Sequence, residues 1–127
     1  MHGWPGSHFE FLDILSLYRE KYSPENLPYH IIAVSLPGWT LSSGPPLTRD
    51  FGMEDIGRIM NKLMVGLGFA SGYVLQGGDI GSFTASIMSG TYDECKGESG
   101  LSLHLKGKIE SSCLTVRHLD FAAVHCK

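Results

Sequence analysis

The sequence predicts an α/β fold, a partial sheet of mostly parallel strands with crossover helices. Two short apolar runs, His30–Ser35 and Tyr73–Gln76, read as strands, and segments with helical periodicity alternate with them. The Gly77-Gly78-Asp79-Ile80-Gly81 stretch then sends the second run straight into another helical pattern. Strand, helix, strand, helix in that order implies parallel pairing, because parallel neighbours need a crossover element whereas antiparallel ones close through a hairpin.

Each element has its own signal. Ser7 with Glu10 three residues on forms a capping-box pattern, and Phe11, Ile14, Leu15 and Tyr18 follow at i, i+3, i+4 and i+7, so the spacing predicts a helix over 7–20. Pro24 and Pro28 end it. The β-branched run 30–35 predicts a strand buried on both faces, stopped by Leu36-Pro37-Gly38. Residues 39–52, rich in Ser, Gly and Pro, predict a long loop. Ile56, Ile59, Met60, Leu63 and Leu67 fall on one helical face that reads as core, with Gly68 placed as its stop. Tyr73–Gln76 predicts a second buried strand, and a helix is expected over 82–88. His118–Val124 reads as a third strand. The stretch 97–116 has no sustained period beyond a weak alternation at Leu101, Leu103 and Leu105, which suits an edge strand.

Composition bounds the function classes. Apolar residues make up 43% and charged residues 18% of 127 positions, which is globular composition with no run of about 18 apolar residues to span a membrane. A soluble chain is expected. The formal charge of −3 without a basic block leaves no footprint for nucleic acid. Cys95, Cys113 and Cys126 are odd in number and lack CxxC spacing, so neither a disulfide framework nor a zinc site is indicated, and a reducing, cytoplasmic setting is the expectation. No secretory leader pattern opens the sequence. No cofactor or metal is indicated, and oligomeric state leaves no signal.

Gly77-Gly78-Asp79-Ile80-Gly81 has the Gly-x-nucleophile-x-Gly spacing, with Asp where lipases carry Ser. The spacing follows from sterics: a strand-to-helix turn this tight holds the nucleophile at strained dihedrals, and Gly77 and Gly81 must lack side chains. A carboxylate there is already ionised at neutral pH, is favoured by the positive end of the next helix, and can attack an sp3 carbon to leave an ester. The same five residues also fit an ordinary turn, or a helix cap at Asp79. The second motif, His2-Gly3-Trp4-Pro5, is similar to the loop that in α/β hydrolases supplies one oxyanion-hole N–H, the other coming from the residue after the nucleophile. The donors would be Trp4 and Ile80. Trp4-Pro5 is a place where a cis peptide is inexpensive, and His2 reads as a loop-holding residue.

Together these pieces carry a resemblance. His2-Gly3-Trp4-Pro5-Gly6-Ser7, Ser35-Leu36-Pro37-Gly38-Trp39 with Ser42-Ser43-Gly44-Pro45-Pro46, and Gln76-Gly77-Gly78-Asp79-Ile80-Gly81-Ser82 resemble the microsomal-type epoxide hydrolases, especially the fungal ones, over roughly residues 2–96. The resemblance implies a partial α/β-hydrolase sheet in which Asp79 opens an epoxide and the Trp4 and Ile80 amides bind the oxyanion as the ester is hydrolysed. His2, Gly3, Pro5, Gly77, Gly78 and Gly81 would shape the two loops. The partners it implies are a small-molecule epoxide and water, and the product a vicinal diol. It also implies that residues 1–127 are one partial core domain, that 97–116 is inserted, and that the cap and C-terminal part, with the proton-donating tyrosines and the water-activating His, are absent. None of Tyr18, Tyr22, Tyr29, Tyr73 or Tyr92 matches the cap, and His104, His118 and His125 match no catalytic His motif.

Two other readings stand beside it. A dehalogenase on the same fold also uses Asp, but its halide is commonly held by an indole N–H just after the nucleophile, and Ile80 has no side-chain donor. A non-catalytic remnant or binding protein follows if a nucleophile without its base only forms an ester and stalls. Sheet edges left open would then favour aggregation. Trp4, Trp39 and Phe83 suit either an apolar substrate site or the core.

Overall fold

The computed structural model describes residues 1–101. The expected strand at His118–Val124, Leu103 and Leu105 of the weak alternation, and Cys113, Cys126, His104, His118 and His125 lie outside the described residues.

Ser7 caps the first helical segment as its pattern predicts: its side chain accepts from the Phe9 amide, and Glu10 reaches back to the Ser7 amide. The box opens a 3-10 turn over His8–Phe11, and the α-helix α1 follows at Leu12–Lys21. No residue of α1 is buried; of the apolar stripe, Phe11, Leu15 and Tyr18 are partly covered and Ile14 is exposed. A short 3-10 turn at Pro24–Asn26 comes next.

Residues 30–35 correct the first strand expectation. They form no ladder with any described segment, and Ile31 and Ile32 are exposed. A β-branched apolar run fixes a preference for extended backbone, whereas a strand also needs a partner edge. Here the polar backbone of the segment's end turns to side chains instead, with the Leu36 amide donating to His2 Nε2 and the Ser35 carbonyl accepting from Ser42 Oγ.

Helix α2 runs Met53–Gly66 after the long loop. Ile56 and Met60 are buried in the core, while Leu67, expected on that face, is half exposed at the C-cap. Gly68 stops the helix at φ +98°, with its amide on the Val65 carbonyl and the Phe69 amide on the Met64 carbonyl. These are the two bonds of a Schellman motif, whose left-handed residue favours glycine.

Strand β1 spans Tyr73–Gly78, helix α3 Ile80–Thr91 and strand β2 Cys95–Leu101. The strands pair in parallel from Tyr73 opposite Cys95 to Gly78 opposite Leu101, with α3 as the crossover and one irregularity that leaves Lys96 out of register. β1 was expected to be buried on both faces, but it alternates. Tyr73 and Gly77 are buried, while Val74 and Gln76 are exposed, and α3 packs against the strand. Helix α3 is also longer than 82–88, since the turn at Asp79 is so abrupt that the helix begins at the next residue. Leu36, Ile56, Met60, Tyr73, Met88 and Cys95 form the core between sheet and helices. The stretch from 97 that reads as inserted begins as β2. Gly100 suits its place there, where a Cβ would stand 3.1 Å from that of Ser82. No helix among the described residues is long and apolar enough to cross a membrane.

Candidate active site

Asp79 stands between the last residue of β1 and the first of α3, at φ 50° and ψ −121°. A side chain rarely adopts this left-handed backbone, and it is held here at a cost of about 1–3 kcal/mol. Two crossings of backbone enforce it. A Cβ on Gly77 would lie 2.3 Å from the Gly81 carbonyl oxygen, and one on Gly81 would lie 2.6 Å from that of His2. Both glycines therefore do what the spacing predicts. Gly78 differs: nothing stands within 4 Å of its would-be Cβ, so packing makes no demand for glycine there.

The loop from Met1 to Gly6 lies against this turn. The Met1 amine donates to the Gln76 carbonyl and its carbonyl accepts from the Gly78 amide, as a parallel neighbour of β1 would do. Gly3 comes so close to Asp79 that a Cβ would stand 2.6 Å from the Asp79 Cβ. The Trp4-Pro5 peptide bond is cis, and the turn closes through the Gly6 amide on the Gly3 carbonyl at 2.8 Å. The result is one specific contact: the Trp4 backbone N–H donates to Asp79 Oδ2 at 2.8 Å.

That contact is not the one a helix cap makes. A helix-capping Asp turns its carboxylate onto the first amides of its helix, and Asp79 makes no such side-chain bond. The Ser82 and Phe83 amides are taken by its carbonyl oxygen instead, which also accepts from Ser82 Oγ at 2.6 Å. The carboxylate is exposed and points to the Trp4 loop, beside the positive end of α3. Ile80 supplies the first amide of that helix, a position with no intrahelical acceptor.

His2 is 1% exposed and holds the loop from below. The Gly3 carbonyl can only accept and the Leu36 amide can only donate, so the ring is neutral, with its proton on Nδ1 toward Gly3 and Nε2 bare toward Leu36, both at 2.9 Å. Among the described residues the other histidines are engaged elsewhere, His8 with Ser35 and His30 against the ring of Phe69. Neither touches Asp79. Trp39 packs against the core and tilts over the His2 ring, whereas Trp4 and Phe83 expose 71% and 48% of their surfaces.

Composition did not reveal the support beneath the loop. Ser35 and Leu36 grip it through His8 and His2, and only the sharp Leu36-Pro37-Gly38 stop hinted that the chain does something unusual there. A cleft of about 460 Å³ between α2 and residues 34–46, lined by Val34, Pro37, Phe51, Ile59 and Leu63, includes neither Asp79 nor its partners. No group of three or more potential metal-ligating side chains is assembled among the described residues.

A family model described as alpha/beta hydrolase fold matches residues 1–97. The chain is similar to a Dothistroma septosporum protein whose name assigns it provisionally to the epoxide hydrolases, at 49% identity over 96 residues, covering 76% of this chain and 23% of that protein. Among solved structures it superposes on the Aspergillus niger epoxide hydrolase with a TM-score of 0.82 and 50% identity, over 86% of this chain and 28% of that one. The silkworm (Bombyx mori) juvenile hormone epoxide hydrolase gives 0.67 and 32%, over 78% and 26%. The chain thus spans about a quarter of the length of these relatives.

Proposed function

The chain belongs to the alpha/beta hydrolase fold family, and we propose that it carries the nucleophile half of an epoxide hydrolase site, with Asp79 attacking the epoxide. The observation that carries this is the Trp4 N–H on Oδ2 of a carboxylate held at a left-handed strand-to-helix turn.

With Oδ2 engaged, Oδ1 is the oxygen free to attack. It bonds to one epoxide carbon as the ring C–O bond breaks, and the released oxygen takes a proton from a donor outside the described residues. Oδ2 then becomes the ester carbonyl oxygen, already at the Trp4 amide. When water adds to Cγ, negative charge develops on that oxygen, where the Trp4 and Ile80 amides are the two donors; one such donor is worth about 10²–10³ in rate. Collapse returns the carboxylate and releases a vicinal diol. The water must lose its proton to a base, and no described histidine touches Asp79, so that base also comes from outside the described residues. Relatives carrying the epoxide hydrolase name support this choice over other chemistries of the fold.

The test is incubation with styrene oxide, following both diol and protein mass. Covalent modification of the chain with or without diol, lost in Asp79→Asn, supports the proposal. Diol formed at the same rate by Asp79→Asn, or an unmodified chain that makes no diol, contradicts it.

A further inference from the structure

We propose that Ser35 is a positioning residue of the Asp79 site, its hydroxyl holding the His8 end of the Trp4 loop while the Leu36 amide beside it holds the His2 end; the link to catalysis rests on the function proposed above. Ser35 is 5% exposed and its hydroxyl oxygen has three partners. The His8 backbone amide donates to it at 3.2 Å, and His8 Nδ1 and Thr40 Oγ1 each stand 2.7 Å away.

The proton count leaves no partner to spare. A serine hydroxyl has one proton and two lone pairs. If it donates to His8 Nδ1, Thr40 must donate to it; if His8 Nδ1 carries the proton, Ser35 donates to Thr40. Thr40 completes the set in either case. Thr40 is also a β-branched residue at φ 44°, a conformation such residues rarely adopt, and its Oγ1 stands 2.7 Å from Ser35 Oγ.

The next residue supplies the other hold. The Leu36 amide donates to His2 Nε2, and His2 Nδ1–H donates to the Gly3 carbonyl, both at 2.9 Å. Residues 35 and 36 therefore grip positions 2 and 8, and the Trp4 amide that meets Asp79 Oδ2 lies between those two points. A buried hydroxyl that does not touch Asp79 thus helps to set where the Trp4 amide sits.

The experiment follows Trp4 amide hydrogen exchange by 15N NMR on the full chain, with the Tyr73 and Met88 amides as core reporters, in wild type, Ser35→Ala and Ser35→Thr. In Ser35→Ala, Trp4 exchange should rise about tenfold, the effect of one lost hydrogen bond on local opening, while the core reporters hold, and Ser35→Thr should restore it. The rate of Asp79 alkylation by styrene oxide should fall in parallel. Trp4 exchange unchanged in Ser35→Ala, or rising only in step with Tyr73 and Met88, would overturn the proposal. Should Ser35→Ala fail to fold, His8→Phe, which keeps the backbone amide and removes one ring partner, is read by the same two outcomes. A wild type that resists alkylation defeats the function proposed above but leaves the exchange result to judge the role of Ser35.

Discussion

The Trp4 amide and Asp79 Oδ2 meet at 2.8 Å although 75 residues separate them in the chain. The contact exists because Gly3, Gly77 and Gly81 let three stretches of backbone pass within distances that any Cβ would close.

Gly81→Ala places a methyl 2.6 Å from the His2 carbonyl oxygen, and Gly77→Ala places one 2.3 Å from that of Gly81. Backbone cannot yield as a flexible side chain does, so each should cost about 1–3 kcal/mol or more and detach the Trp4 loop from Asp79. Gly90→Ala, with nothing within 4 Å, should instead gain about 0.5–1 kcal/mol of helix stability. Urea midpoints of the three variants check the contrast.

The buried pair between α2 and β1 predicts a pH response. The Tyr73 hydroxyl donates to Asn61 Oδ1, and burial, followed by the neighbouring Cys95, Glu94 and Tyr92 charges, pushes its pKa from 10.0 up to about 12. A group whose folded pKa is raised contributes stability that is complete below its unfolded value and lost as pH rises through the folded one. Stability should therefore fall between about pH 10 and 12 through this residue. Tyr73→Phe should remove that component and, by leaving Asn61 Oδ1 unpaired, cost about 1–3 kcal/mol at neutral pH. Denaturant titrations at pH 7 and across the alkaline range measure both.

His2 accepts from the Leu36 amide and donates to the Gly3 carbonyl, which also accepts from the Gly6 amide. His2→Phe should keep an aromatic ring but leave the Leu36 amide unpaired, at a cost of about 1–3 kcal/mol. His2→Ala adds a cavity and should be worse. Thermal unfolding of the two variants against wild type reads the difference.

What the sequence made legible is what is local. The Ser7 box, the Gly68 stop and the tight turn at Asp79 depend on residues a few positions apart, and all three are where their patterns place them. The run 30–35 misled because pairing is a property of two edges, and a single run shows only its own preference. β1 was read as doubly buried for a related reason: an apolar run does not say how many faces are covered. The motif reads His2 as a loop-holding residue, and its ring bridges the Gly3 carbonyl and the Leu36 amide. The role of Ser35 was not legible, because its partner His8 lies 27 residues away and serine in a loop has no pattern of its own.

The measurement closest to the central claim is peptide mapping after exposure to styrene oxide. The account predicts that the peptide containing residue 79 gains the mass of one epoxide, on the Asp79 carboxylate, and that Asp79→Asn gains none there. Modification confined to other side chains, or an equal gain in the Asp79→Asn peptide, would contradict it.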